Sequence, residues 1–339
     1  MRRPTLFTAS LTAVALGCGG DGDPTQPSGD ATLSQTSPAL AAARNTWTPA
    51  ATPTTVPTLY GHFLGAAPNR NGRTVVYALG GTDEDGATMF RLQAYNAQND
   101  VWSGRMSQVQ VFHSNGAVKL GSRLYYTGGY DHAEGFDVPI SATIAYDYLQ
   151  DRITRRARLP IDGAEGVSGA IGGKLYVLPG ACSGFNWPQP GACLEEPTRR
   201  FFRYDPGSDG WETLPSSLHF HRSGAAAVIG GKFYVVGGMQ GAQGTEPVRS
   251  LEVFDPATRT WRNRAPIPVG GHMFGAALGS TFFVVVSGSP ERAYSYDPGT
   301  NRWTAKAAPE FFGPVVKVEI DGKARLFTTG EGKAAVYTP

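Results

Sequence analysis

Cysteine, charge and long apolar runs are all scarce in this 339-residue chain. Three cysteines are too few for the dense staple framework of a small secreted domain. They also lack the neighbouring Cys or His at CxxC-like spacing that a structural zinc site uses. Charged residues make up 17% of the chain and the formal net charge is +2, so no strong field attracts nucleic acid or an anionic membrane surface. The one sustained apolar stretch, residues 6–16, is too short to span a bilayer. After it, no segment carries the 3.6-residue stripe of an amphipathic helix. What is abundant is glycine (44) and proline (25), with apolar residues in short alternating runs. That composition predicts an all-β chain rich in turns.

One stretch, His221 to Trp261, serves as the template. An apolar run, Ala225–Ile229, is followed by Gly230-Gly231-Lys232, then Phe233-Tyr234-Val235-Val236 and the doublet Gly237-Gly238. Next come a loop, Leu251-Glu252-Val253-Phe254, Asp255-Pro256 and Trp261. Four β-prone runs punctuated by turn residues predict one four-stranded antiparallel meander. Phe254 precedes Trp261 by seven residues, and the same interval separates Tyr95 from Trp102, Tyr204 from Trp211 and Tyr296 from Trp303. It also separates Tyr146 from Ile153, where the tryptophan is replaced. The glycine doublet recurs at Gly80-Gly81 and Gly128-Gly129, and in eroded form at Pro179-Gly180, Ser287-Gly288 and Thr329-Gly330.

These features, at a period near ~50 residues, resemble the Kelch motif of β-propellers. The resemblance covers about seven-eighths of the chain, residues 44–339. It implies a six-bladed Kelch-type β-propeller of four-stranded antiparallel blades, similar to the central domain of galactose oxidase and to the N-acetylneuraminate epimerase propellers. Tyr337 has no tryptophan after it, whereas Arg44-Asn45-Thr46-Trp47 matches Arg259-Thr260-Trp261. The N-terminal segment is therefore expected to supply the outermost strand of the last blade and close the ring, leaving no unpaired edge at the seam.

The segment before the propeller divides in two. Arg2-Arg3, the apolar core and Leu16-Gly17-Cys18-Gly19 resemble a bacterial lipoprotein signal, with residues 1–18 as leader and Cys18 as the acylated residue. A plain secretory signal is the other reading. Residues 19–43 are Ser/Thr/Pro/Gln-rich and hold too little apolar surface to fold, as expected of a tether. Export to the bacterial outer membrane or cell surface, with membrane contact only through the lipid, follows from that resemblance. In an oxidising compartment Cys182 and Cys193 are expected to form a disulfide that stabilises their loop by roughly 2–3 kcal/mol.

Strand parity places the connections between second and third strands on one face, together with the starts of the innermost strands. Function is expected there, on long loops carried by a rigid scaffold. His62, His113, His221 and His272 each stand three residues before a glycine and superpose to one position ahead of a first strand. They form a candidate ring at the channel mouth. Arg222 stands where Kelch domains often carry a ligand-binding arginine. Asp131, Glu134, Trp187 and Glu246 lie in loops of the same face.

Two roles are open for the histidines: structural donors to backbone carbonyls, or the lining of a ligand site with Arg222 and the loop aromatics. No cofactor is expected. A mouth metal ion would need a carboxylate such as Asp131 or Glu134 beside two neighbouring histidines. The expected function is an exported, monomeric binding module for a glycan or protein surface ligand, with no nucleic acid as partner. The alternative is a sugar-converting enzyme in which Arg222 acts with Glu246 or Glu291.

Overall fold

Six copies of one antiparallel meander are arranged around a central channel in the computed structural model. The described residues are 44–52, 61–81, 91–108, 113–133, 136–181, 198–240 and 245–339. Blade 1 comprises Phe63–Pro68, Thr74–Leu79, Arg91–Asn96 and Val101–Gln108. Blade 2 comprises Ala117–Leu120, Arg123–Thr127, Thr143–Asp147 and Arg152–Arg156. Blade 3 is Val167–Ile171, Lys174–Leu178, Phe201–Asp205 and Gly210–Leu214. Blade 4 is Ala225–Ile229, Lys232–Val236, Leu251–Asp255 and Thr260–Arg264. Blade 5 is Met273–Leu278, Thr281–Val286, Arg292–Asp297 and Arg302–Lys306. Blade 6 takes Val315–Ile320, Lys323–Gly330 and Lys333–Thr338 from the end of the chain and Thr46–Pro49 from its start. The innermost strands meet in ring order, and blade 6 returns to blade 1. Two small hairpins, Tyr130–Ala133 with Phe136–Pro139 and Met239–Gln240 with Glu246–Pro247, extend blades 2 and 4.

The period-2 side-chain alternation of a strand explains why the blades must be stacked. In blade 1, Val75, Tyr77 and Leu79 enter a core shared with blade 2, while Val76 and Ala78 enter a core shared with blade 6. In blade 4, Phe233 and Val235 face blade 3, whereas Tyr234 and Val236 face blade 5. Six apolar cores result, one per blade interface. The second strands are buried on both faces and therefore read as continuous apolar runs.

The seven-residue interval is a cross-strand pair. Tyr95 lies opposite Trp102, Tyr204 opposite Trp211, Phe254 opposite Trp261, Tyr296 opposite Trp303, and Tyr337 opposite Trp47. Ring centroids in these pairs are 5.1–5.2 Å apart. The closing strand is thus equivalent to the other outermost strands, although it comes from the opposite end of the chain.

Each of these tryptophans also reaches the preceding blade. Trp102 Nε1 donates to the Ala51 carbonyl (2.7 Å), Trp211 to Ala157 (2.9 Å), Trp261 to Pro215 (2.9 Å), Trp303 to Ala265 (2.8 Å) and Trp47 to Ala307 (2.9 Å). An Asp or Asn in the tight turn before the tryptophan completes the clasp. Asp100, Asp209, Asn301 and Asn45 accept the backbone N–H of Ala51, Ala157, Ala265 and Ala307. Each also accepts the hydroxyl of the tyrosine opposite its tryptophan. The turn residue has φ between 50° and 59°, a left-handed conformation that Asn and Asp tolerate better than most residues.

The two irregular junctions are chemically consistent. At the junction of blades 3 and 4 the clasped residue is Pro215, which has no N–H; the turn carries Arg259 and the aromatic is Phe254, so acceptor and hydroxyl are absent together. At the junction of blades 1 and 2, Ile153 replaces the tryptophan, and no indole can bridge the blades there.

The glycine doublets serve close approach. Gly237 and Gly238 have φ of 65° and 88°, and a Cβ on Gly238 would stand 2.5 Å from the Arg222 carbonyl oxygen. Gly238 N–H instead donates to Gly271 (3.0 Å) in the approach to blade 5. Among the described residues no helix is long and apolar enough to cross a membrane.

Trp47→Phe keeps an aromatic opposite Tyr337 but leaves the half-buried Ala307 carbonyl without its indole donor. A loss of about 0.5–1.5 kcal/mol in urea unfolding is expected, and removal of residues 44–50, which bares the edge of Lys333–Thr338, should cost more. Equal midpoints for wild type and both variants would refute the clasp.

Candidate functional site

The backbone builds the channel mouth before any side chain is placed. Ahead of the first strands, Gly61 O accepts from His113 N–H (2.8 Å), His113 O from Glu165 (2.8 Å), Glu165 O from Ser223 (2.7 Å) and Ser223 O from Met273 (2.9 Å). This staircase links blades 1 to 5 around the channel. Gly61, His113, Glu165 and Ser223 all have positive φ, between 49° and 72°, which is strained for the three that carry side chains. The step orients the blade connections over a cavity of about 110 Å³ bordered by His62, His113, Glu165, Ser223, His272 and Phe312. It shares Phe63, Gly166, Gly224 and Phe274 with the channel below. The channel, about 280 Å³, is walled largely by Gly, Ala and Val of the first strands.

Glu165 is the electrostatic centre of the mouth. Its Oε2 takes Arg222 Nε and Ser223 Oγ (3.1 Å), and Oε1 takes the Tyr130 hydroxyl at 3.3 Å. The Glu165 and Arg222 side chains are 8% and 10% exposed. Burial, the largest single influence, would raise the Glu165 carboxyl. The Arg222 hydrogen bond and charge, with smaller help from His113 and Ser223, outweigh it and hold the carboxyl below its usual value. Arg222 is therefore an ion-pair partner within the wall. Its carbonyl also accepts from Met239 N–H (2.8 Å), tying the blade 4 hairpin to the same point.

The four histidines do not share one position, which corrects the superposition expected from their spacing. Strand register places His62 directly before Phe63 and His272 directly before Met273, so Gly65 and Gly275 lie inside first strands. His113 and His221 lie four residues before Ala117 and Ala225, and Gly116 and Gly224 precede those strands. A shared three-residue interval thus spans three registers, because His113 takes in blade 2 the backbone step that Ser223, two residues after His221, takes in blade 4. Their surroundings differ accordingly.

His221 is buried at 1% exposure; Nδ1 meets the Gly237 carbonyl (2.8 Å) and Nε2 meets Glu252 Oε1 (2.9 Å). Because a carbonyl only accepts, Nδ1 carries a proton and Nε2 faces the carboxylate. Glu252, fully buried, also accepts the backbone N–H groups of Leu218 (2.8 Å) and His219 (3.4 Å). This group anchors the connection leading to Arg222 and does not border the cavity.

His62 is 2% exposed at the cavity floor. The Thr329 carbonyl acts on its ring, but neither nitrogen closes a hydrogen bond of good geometry. Burial, followed by the Thr329 carbonyl in the opposite sense and by nearby His113, leaves it with a pKa of about 4. His113 lies edge-on to Tyr130, with ring centroids 6.1 Å apart. His272 stands on the rim, and partial burial of its ring holds it below the usual histidine value, with Glu165 opposing and Arg222 assisting.

The remaining expected residues are dispersed. Asp131 pairs with Val138 in the blade 2 hairpin, and exposed Glu246 accepts from Gln240 (3.4 Å) in the blade 4 hairpin. Neither borders the cavity. Glu291 accepts the Gly288 N–H (2.7 Å), and burial raises its carboxyl. Glu134, Trp187, Cys18, Cys182 and Cys193 lie outside the described residues. Among the described residues no three His, Cys, Asp or Glu side chains are grouped to hold a metal ion. Glu165 and Tyr130 are the participants that sequence reasoning missed. Glu165-Gly166 stands before Val167 as Ser223-Gly224 stands before Ala225, and that parallel could have identified Glu165.

The Kelch motif profile matches residues 222–268, which include Arg222 and all of blade 4. Similar relatives include Kelch-like protein 35 of Mus musculus, 25% identical over 78% of this chain and 44% of its own length. Kelch-like protein 23 of Pongo abelii is 23% identical over 67% of this chain and 39% of its own. The F-box/kelch-repeat protein At5g26960 of Arabidopsis thaliana is 24% identical, over 65% and 51%. The chain spans about half or less of the length of these relatives.

Two expectations follow. His221→Ala leaves part of a buried carboxylate unpaired and should cost about 1–3 kcal/mol, whereas His272→Ala on the rim should change stability by less than about 0.5 kcal/mol; matched thermal unfolding measures both, and equal losses would contradict these assignments. The second concerns pH. The folded state holds His62 neutral down to about 4, while the unfolded chain takes up its proton near 6.5. Below that value the unfolded state binds more protons, so stability falls as pH drops from 6.5 towards 4, by at most about 1.4 kcal/mol per unit from this group. The slope should flatten in His62→Gln; an unchanged slope would assign the acid sensitivity elsewhere.

Proposed function

We propose that this Kelch-repeat β-propeller is an exported interaction module that docks a surface partner on its loop-bearing face. The observation that carries the reading is the mouth itself. A strained, interlocked backbone staircase holds a buried Glu165–Arg222 pair at the centre of that face. Between the second and third strands of blade 4, the hairpin Met239–Gln240 with Glu246–Pro247 is tied to this pair by Met239 N–H on the Arg222 carbonyl. Turns on the opposite face are as short as Gly172-Gly173 and Gly230-Gly231. A rigid ring with variable loops on one face suits recognition. The leader resemblance supports presentation outside the cytoplasm, with Cys18 as lipid attachment and residues 19–43 as tether.

The sugar-converting alternative asks for an arginine available to an anion beside a free acid or base. Arg222 is paired with Glu165, and neither Glu246 nor Glu291 borders the cavity. The binding reading is therefore preferred.

Cross-linking of the full chain at the surface of the producing cell, followed by peptide mapping, tests it. Cross-links to a partner should concentrate in the loops around the mouth and decline in a His113→Ala/His272→Ala variant. Cys18→Ala should move the chain from the membrane to the soluble exported fraction. Cross-links confined to the opposite face would reject the docking assignment, and unchanged membrane association would reject the lipid.

A further inference from the structure

We propose that the mouth cavity is a subsite for one uncharged glycosyl ring, with Glu165 and His272 taking its hydroxyls and Phe312 and Phe274 its C–H face. This inference rests on the binding-module reading and narrows it to a ligand chemistry.

Size limits the ligand first. The cavity of about 110 Å³ is a small recess that shares Phe63 and Phe274 with the channel below, room for the edge of one ring. Charge limits it next. Glu165 is the carboxylate bordering the cavity, and it is neutralised by Arg222 inside the wall. His62 and His272 are both shifted towards the neutral form and add no fixed charge at neutral pH. An incoming carboxylate would face Glu165 with Arg222 already engaged. An incoming ammonium would meet a carboxylate whose charge Arg222 already balances. Neither charge is compensated, so an uncharged ligand is favoured.

Hydrogen-bonding capacity supplies the rest. Glu165 Oε1 holds only the long 3.3 Å bond from Tyr130 in addition to its place in the ion pair, which leaves acceptor capacity towards a hydroxyl. A neutral imidazole offers one donor and one acceptor, and a hydroxyl can answer either. Beside these polar groups stands an apolar wall in which the Phe274 and Phe312 rings are 4.9 Å apart at 34°. A pyranose combines hydroxyls on its edge with an apolar C–H face, and matches the two walls at once. The buried ring of His62 closes no hydrogen bond of good geometry, and a turn towards the cavity would let a ligand hydroxyl supply one.

The test uses the full chain with four probes: methyl β-galactoside and methyl α-mannoside as uncharged glycosides, glucuronate as a carboxylate, and N-acetyltyrosinamide as a phenol from a protein source. Ligand-observed NMR titration measures affinity, and thermal unfolding accompanies every variant. Saturable binding of at least one methyl glycoside is expected. It should weaken about fivefold or more in Glu165→Gln and in His272→Ala, the loss of one hydrogen bond, with the unfolding midpoint of His272→Ala unchanged. Because Glu165→Gln disturbs a buried pair, His272→Ala decides if that variant fails to fold. Tighter binding of glucuronate or the phenol than of either glycoside would overturn the proposal. So would glycoside binding unaltered in His272→Ala, or no saturable glycoside binding up to about 10 mM. Surface cross-links at the mouth without glycoside binding would leave the interaction reading standing and remove this one alone.

Discussion

A two-armed clasp between neighbouring blades is the constraint on which the rest of this ring depends. An indole N–H takes the carbonyl, and an Asp or Asn oxygen takes the N–H, of one residue just beyond the outermost strand of the blade before it. Each hydrogen bond is worth only about 0.5–1.5 kcal/mol net. Its importance is geometric: a single backbone residue held at both polar groups sets the spacing and tilt of the next blade. The apolar cores between blades supply the larger, undirected stabilisation, and the clasps determine the register in which those cores form. The junction of blades 3 and 4 shows the economy of the device. Pro215 offers no N–H, and its neighbours offer neither acceptor nor tyrosine hydroxyl.

Fixing the blades at the rim also defines the mouth. The left-handed residues at Gly61, His113, Glu165 and Ser223 can bond to one another only if successive blades arrive at a constant step. A charged pair can then be held inside the wall of an open channel, where its partners offset its desolvation. His221 and Glu252 extend this support outwards, since they anchor the connection that delivers Arg222 and leave the mouth itself to other side chains.

Much of this architecture was legible in the chain. The Tyr–Trp interval is the arithmetic of a tight turn between paired strands, so it survives translation into residue numbers without loss. Trp47 was recognisable as the missing tryptophan of the last blade for the same reason. The histidine ring was not legible. An interval of three residues to a glycine looks identical whether the glycine lies inside a strand, as Gly65 and Gly275 do, or ahead of it, as Gly116 and Gly224 do. Local spacing carries no information about register when the approach to the strand varies by a few residues.

Sequence by itself therefore determined the all-β class, the number of blades, the partner of each tryptophan and the strand that closes the ring, because all of these follow from short-range periodicity repeated six times. Only the tertiary structure decided which polar residues meet. Glu165 and Arg222 stand 57 positions apart and belong to different blades. Their pairing depends on how one blade's connection passes over the next, and no pattern within a single repeat records that. The roles of His221 and His62 were decided in the same way: one ring closes two hydrogen bonds and the other, buried beside the Thr329 carbonyl and His113, closes none of good geometry, a difference set by neighbours that fold in from elsewhere in the chain.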